Sequence, residues 1–398
     1  MIGRDMLGGA FNYDPFELYE REILTNPNMV VFGQIGRGKS SFVKTYLWRQ
    51  AVFGRRAWVI DPKGEYGPLA DAWGVKPIAL HPGGTTRINP LDEISVSGNT
   101  EGCRQAGELL VSLAAAGLGR ALLPNERTAV ELAVSACGHA RRAAPTIPQV
   151  VEQMLLPDAE SAAALHVDVQ TLASDGRSVA LELRRLVAGD LRGMFDGSTS
   201  PGIDLSGPLV VLDLSAVYHS GALGVLMACA AAWLQSSLGK STGSRSIFVV
   251  DEAWAILANL GVARWLQSSW KLSRARGVSN VAVLHRVSDL TSVASAGSGH
   301  AGLVQGLLAD SETRVIYGQP PGETEPAAEL LGLSNTETEL VPKLSRGCAL
   351  WKVGGRSFLV QHILSPKESA IVDTDSNMSS AAAQPPNGHQ SNPGDENR

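Results

Sequence analysis

Apolar residues in this chain gather into short runs set at intervals along it. Met29-Val30-Val31-Phe32, Ala57-Trp58-Val59-Ile60, Leu209-Val210-Val211-Leu212, Ile247-Phe248-Val249-Val250 and Val281-Ala282-Val283-Leu284 show no polar alternation and are rich in β-branched residues. Such runs predict strands buried on both faces. Arg314-Val315-Ile316-Tyr317 predicts one more. Helical segments separate them, about 39 to 53, 221 to 237, 254 to 275 and 299 to 309. Strand alternating with helix predicts a mostly parallel sheet with right-handed crossovers. Near the end, Cys348 to Val353 and Ser357 to Ile363 flank Gly354-Gly355. That spacing predicts a C-terminal β-hairpin with a turn suited to positive φ.

The middle of the chain reads differently. Residues 101 to 193 carry helix signals and no strand signal. Thr146 with Gln149 resembles a capping box, and Asn125 and Asp158 have the chemistry of N-caps. An all-helical subdomain inserted between strands is expected. The predicted organisation is a lead-in segment over 1–27, an α/β domain over 28–100 and 194–365, the helical insertion over 101–193, and a disordered tail over 366–398. The tail is expected to be disordered because its composition shifts to Ser, Asn, Pro, Gly, Asp and Glu.

Composition narrows the picture. The chain has 398 residues, 44% of them hydrophobic and 18% charged, which supports a sizeable core. The net charge of −5 argues against a surface that coats nucleic acid. Arg55-Arg56, Arg141-Arg142 and Arg184-Arg185 read as solvated helix faces. The four cysteines form no CxxC pair, so reduced, mostly buried thiols are expected. Met1 to Ala10 does not read as a signal peptide. The longest apolar stretch, Gly221 to Leu234, falls short of the roughly 20 residues that span a bilayer, so no direct membrane span is expected.

Chemistry enters at the first strand. Gly33-Gln34-Ile35-Gly36-Arg37-Gly38-Lys39-Ser40 fits G-x-x-x-x-G-K-[ST]. Glycines let successive backbone N–H groups close on phosphate oxygens. The helix that follows aims its positive N-terminus at the same anion. Lys39 is read as the ligand of the β- and γ-phosphates, and Ser40 as a hard oxygen ligand for Mg²⁺. Ser41 joins the nucleotide-binding set. An apolar strand before the loop and a helical pattern after it make chance an inadequate explanation. ATP with Mg²⁺ is the expected ligand, and hydrolysis the expected reaction.

A P-loop needs a carboxylate for the metal and a base for water, both at the carboxyl ends of strands. Asp61, Asp213 and Asp251 end apolar runs. Asp251 is followed at once by Glu252, which divides the work between metal and attacking water. Asp213 reads better as a helix cap. Asp61 lies in Asp61-Pro62-Lys63-Gly64-Glu65-Tyr66, an ordered turn.

The P-loop, Asp61-Pro62-Lys63-Gly64-Glu65-Tyr66, Ile88-Asn89-Pro90-Leu91-Asp92 and Asp251-Glu252-Ala253-Trp254 occur in that order. Together they resemble the motor domain of the type IV secretion and conjugal transfer ATPases of the TraC kind, within the HerA/FtsK superfamily of RecA-like motors. The resemblance runs from about Met29 to Ile363. It implies a RecA-like P-loop NTPase that hydrolyses ATP as a homo-hexamer, with ATP bound between subunits. It places Asp61 and Glu65 at the nucleotide. It also implies an arginine acting on a neighbour's site, with Arg274 the first choice and Arg276 the second. The family commonly has a Gln sensor after the next strand; here His285 stands there, able to reach a γ-phosphate or water or simply to pack in the core.

Only 28 residues precede the predicted P-loop strand, so a motor without the family's large N-terminal domain is expected. With no membrane span in view, the secretion branch is favoured over the coupling branch. The expected setting is the cytoplasmic face of a membrane, reached through membrane-embedded secretion or conjugation partners. A DNA translocase is the alternative reading, with nucleic acid as partner. A third is an ATP-gated assembly factor with little turnover, against which Glu252 argues.

Overall fold

The computed structural model describes residues 1–92, 100–140, 144–239, 245–273, 276–285 and 298–372. Eleven strands form one sheet: β1 Gly3–Asp5, β2 Ala10–Phe11, β3 Met29–Phe32, β4 Arg56–Asp61, β5 Ile78–Ala79, β6 Leu209–Asp213, β7 Ser246–Val250, β8 Val278–Leu284, β9 Thr313–Tyr317, β10 Cys348–Val353 and β11 Arg356–His362. Their order is β2-β1-β11-β10-β9-β3-β8-β7-β4-β6-β5. From β9 to β5 every pairing is parallel. From β9 outward through β10, β11, β1 and β2 every pairing is antiparallel.

The apolar runs explain the two cores. Alternate residues of a strand face opposite ways. Val30, Phe32, Trp58, Ile60, Val210, Leu212, Phe248 and Val250 face one core. Met29, Val31, Ala57, Val59, Leu209, Val211, Ile247 and Val249 face the other. Both faces are buried, so no polar alternation is needed. The second face is covered by the helix Lys39–Ala51 through Phe42, Val43, Tyr46 and Leu47. The first is covered by the helices Leu223–Gly239 and Leu260–Ser273 and by the insertion.

That insertion is helical: Thr100–Leu118, Pro124–Ala140, Ile147–Leu155, Ala159–Ala164 and Val169–Ala188. Asp158 accepts from the N–H of Ser161 at 2.6 Å as an N-cap. Asn125 does not cap: its helix begins one residue earlier, at Pro124, and its side chain donates instead to Asp175 at 2.7 Å. Proline suits a first helical turn, which moves the start forward. Asn89-Pro90-Leu91-Asp92 proves to be a tie between sheet and insertion. The Asn89 side-chain amide donates to the Pro145 carbonyl at 3.0 Å, and Trp233 Nε1 donates to Asp92 Oδ2 at 3.1 Å.

Two terminal segments differ from expectation. Residues 1–27, read from the sequence only as a lead-in segment, supply β1, β2 and a helix, Pro15–Glu20. Strands of two or three residues are too short to show a period. They are held by tertiary packing: Phe11 and Tyr13 each lie against Trp351, with ring centroids 5.1 and 5.2 Å away. At the other end, Pro366–Val372 is a helix rather than the start of a disordered tail. Arg49 anchors it, donating to both carboxylate oxygens of Glu368 at 2.6 and 2.9 Å and to the Ile363 carbonyl at 2.6 Å. No described helix is long and apolar enough to cross a membrane.

The clamp generates a prediction. Arg49→Ala should lower unfolding free energy by about 2 kcal/mol, since it removes charged hydrogen bonds; an unchanged urea midpoint would contradict the clamp. The same region sets an acid limb. Burial, with Arg49 beside it, pushes His362 down from 6.5 to about 4, so the fold favours its neutral form. Glu368 is held near 2 because the Arg49 and Ser365 hydrogen bonds outweigh the burial that would raise it. His362 should therefore withdraw stability as pH drops from 6.5 toward 4, and Glu368 below 4.5, a fall set against the opposite contribution of the buried Asp61 and Asp251, whose raised folded values favour protonation. Replacing His362 with Gln should flatten the upper part of that fall in pH-dependent urea titrations.

Candidate functional site

Parallel pairing sets four strand ends on one edge. Phe32 pairs with Leu284, Ala282 with Val250, and Ile60 with Val250. The loop after β3, the acidic pair after β7, the turn after β4 and His285 after β8 therefore meet. β8 lies between the P-loop strand and the acidic strand.

The loop needs its glycines for distinct reasons. Gly38 has φ 111°, a region that penalises a side chain, and it opens the helix Lys39–Ala51 without a side-chain cap. The first N–H groups of that helix are therefore available to an anion. At Gly33 a Cβ would lie 2.5 Å from the Tyr317 Cβ. A brace comes from the segment before β10: the N–H of Gly347 donates to the Arg37 carbonyl at 2.9 Å.

Lys39 is buried. Its Nζ donates to the carbonyls of Gly33 and Gln34, the latter at 3.2 Å, and lies 3.0 Å from His285 Nδ1. His285 Nε2 contacts Glu252 Oε1. The tautomer carrying its hydrogen on Nε2 satisfies Lys39 and Glu252, but it sets a donor against Lys63 Nζ, which lies 2.8 Å from the same nitrogen. Gln319, at the end of β9, donates its side-chain N–H to the His285 carbonyl at 3.2 Å. His285 is thus inside the site, not packed in the core away from it.

The acidic pair is buried, at 6% exposure for Asp251 and 1% for Glu252. Asp251 Oδ2 accepts from the Tyr66 hydroxyl at 3.2 Å. Glu252 has φ 53°, in the left-handed region, at a cost of about 1 kcal/mol or more for a residue with a Cβ. That backbone twist turns the side chain toward Lys63, whose Nζ lies 2.5 Å from Oε1, while Trp254 Nε1 donates to Oε2. Asp61 serves its own turn: its carboxylate accepts the N–H groups of Lys63, Glu65 and Tyr66 at 3.2, 3.1 and 2.9 Å. Asp213 is not the cap expected: the N-cap of the short helix Ser215–Val217 is Leu214, and Asp213 instead closes a local turn by accepting from the N–H of Ser215 at 2.8 Å.

Electrostatics show what the site wants. Burial, reinforced by Glu252 and Asp61, pushes Asp251 up to about 7. Burial pushes Lys39 down to about 8, although Asp251 and Glu252 pull the other way. A cation against the first and phosphate against the second would reverse both shifts. Glu252 behaves differently. Burial would raise it, but the contacts with His285 and Lys63 prevail and hold it near 2, as a carboxylate. Burial also raises Asp61, to about 6, against the pull of its backbone N–H donors.

Not every expected residue is gathered here. Arg276 stands just before β8, at the opposite edge of the sheet, where its guanidinium donates to the Gln235 carbonyl at 3.5 Å. It cannot serve its own chain's P-loop. Arg274 lies outside the described residues. Conversely, Lys63, Tyr66, Trp254 and Gln319 belong to the site although none was singled out. Three of them sit within motifs already noted, beside Asp61 or Glu252, and that adjacency was the available signal.

No family model matches the sequence, and no curated protein matches it. Solved structures do. The chain is similar to VirB4 of Thermoanaerobacter pseudethanolicus, with TM-score 0.72 and 19% identity over 93% of this chain and 97% of that one. It is also similar to the plasmid coupling protein TrwB in complex with ADP and Mg²⁺, with TM-score 0.58 and 17% identity over 85% and 86%. These likenesses are of fold: an α/β domain with a mostly parallel sheet, a helical insertion and a C-terminal β-hairpin.

The Gly33 contact yields a test. Gly33→Ala should force the loop away from Tyr317 and cost about 2 kcal/mol by overpacking. A thermal melt equal to the parent's would show that the loop has slack here.

Proposed function

We propose that the chain is an ATP-hydrolysing motor that energises a conjugation or type IV secretion apparatus. One observation carries the reading: Lys39, Asp251 and Glu252 converge on one sheet edge, where burial shifts Lys39 and Asp251 toward neutrality while His285 and Lys63 hold Glu252 ionised. The likeness to VirB4 supports the setting.

The chemistry follows from the residues. Gly33, Gln34, Ile35, Gly36, Arg37 and Gly38, with the N–H groups of Lys39, Ser40 and Ser41, would wrap the phosphates of ATP. Lys39 would leave the Gly33 and Gln34 carbonyls for the β- and γ-phosphate oxygens. Ser40 and Asp251 would hold Mg²⁺, which supplies positive charge against the phosphates when bound. No group of three His, Cys, Asp or Glu side chains forms a metal site among the described residues. The remaining oxygen ligands would be phosphate and water. Tyr66 orients Asp251, and Asp61 and Glu65 shape the wall on that side. Glu252, held ionised, would orient the attacking water and take its proton. His285 would sense the γ-phosphate through Lys39.

Arg276 cannot complete its own site, which favours a ring in which Arg276 or Arg274 reaches a neighbour's ATP. The reading takes this ring to be a homo-hexamer docked on membrane-embedded partners at the cytoplasmic face. The likeness to TrwB, a coupling protein, keeps DNA as a second candidate cargo. Stimulation of turnover by DNA, weakening with salt, would favour that reading.

Lys39→Ala should abolish ATP binding, and Glu252→Gln should bind ATP normally while losing turnover by a factor of about 100 or more. Normal titration of the first variant, or normal turnover of the second, would overturn the assignment. Solution mass measured with ATP tests the ring: a monomer at every ATP concentration would remove it.

A further inference from the structure

The turn after β4 brings a second lysine to the site. Lys63 is two residues beyond Asp61, on backbone that the Asp61 carboxylate ties down. Its Nζ lies 2.5 Å from Glu252 Oε1 and 2.8 Å from His285 Nε2. The other ring nitrogen of His285 lies 3.0 Å from Lys39 Nζ. A single imidazole thus separates the ammonium group of the P-loop from that of Lys63. The two cations repel, and the repulsion is one of the influences that lower Lys39.

Glu252 is closed off by this arrangement. Oε1 takes Lys63 and His285, and Oε2 takes Trp254 Nε1. The side chain is 1% exposed, whereas that of Lys63 is 23% exposed. No water can approach a base so enclosed. For Glu252 to act, at least one donor must leave, and Lys63 is the one with solvent beside it and a flexible stem.

We propose that Lys63 is a second phosphate-binding lysine, which latches Glu252 until a nucleoside triphosphate draws it away. This rests on the ATPase reading. A triphosphate in the loop recruits Lys39 and so takes away one partner of His285. Its terminal phosphate then offers Lys63 a doubly charged anion in place of a single carboxylate. Lys63 moves to the γ-oxygens, and Oε1 of Glu252 becomes free to accept a hydrogen bond from water. A diphosphate lacks those oxygens, so with ADP the latch stays shut. The base is opened only when there is a γ-phosphate to attack, and one residue tells substrate from product.

Equilibrium binding of ADP and of a non-hydrolysable ATP analogue to Lys63→Met and Lys63→Arg tests this. Lys63→Met should weaken the analogue about tenfold or more, the effect of losing a charged hydrogen bond, while ADP shifts less than twofold. Lys63→Arg should recover part of the analogue's affinity. A second readout needs no turnover. In nucleotide-free protein the melting shifts of Lys63→Met and Glu252→Gln should be non-additive, because the residues are paired. With the analogue bound they should add. Equal losses for ADP and analogue, or additive shifts without nucleotide, would overturn the proposal. Should Lys39→Ala also bind the analogue normally, the nucleotide site itself would be at fault and not the role of Lys63.

Discussion

Parallel pairing of β3, β8, β7 and β4 is the constraint on which the site depends. It carries residues far apart in sequence, Gly33, Asp61, Asp251 and His285, to the same edge. A register slip of one residue in any of these strands would turn its side chains to the opposite face. Because both faces are apolar, burial alone would tolerate such a slip; close packing of side chains of different size in the two cores opposes it. Around this rigid sheet the loops can carry strained or charged groups that would not be stable alone.

Charge organises the edge. Lys39, Lys63, Asp251 and Glu252 are buried or half-buried together; His285 stands between Lys39 and Glu252, while Lys63 meets Glu252 directly. Desolvation destabilises an isolated buried charge, so each needs a partner. Glu252 has several partners and remains ionised. Asp251 and Lys39 are less well compensated, and burial pushes both toward neutrality. This imbalance makes the edge receptive to a phosphate and a divalent cation. It also means that an arriving ligand must rearrange contacts already made, rather than enter a ready vacancy.

The insertion is bound into the same framework. Its helices pack on one face of the sheet, and Asn89 and Asp92 tie its root to Pro145 and Trp233. The helix Leu260–Ser273, close behind Glu252, packs against both sheet and insertion. Movement of the Asp251-Glu252-Ala253-Trp254 segment would therefore be felt by the insertion through contiguous packing, which is the physical requirement for coupling chemistry to rigid-body motion.

Local patterns were enough to read the central strands, the phosphate loop, the acidic pair, the helical insertion and the C-terminal hairpin. Each is encoded within a few neighbouring residues: an unbroken apolar run, glycines at set spacing, or a carboxylate ending a strand. Tertiary structure alone decided the rest. The strands before Tyr13 and the helix Pro366–Val372 exist because Trp351 and Arg49 hold them, and no local period announces them. The place of Lys63 against Glu252, the span of His285 between two lysines, and the exile of Arg276 to the far edge are contacts between distant segments. Sequence order determined which chemical groups the chain possesses; the pairing order of the strands determined which of them meet.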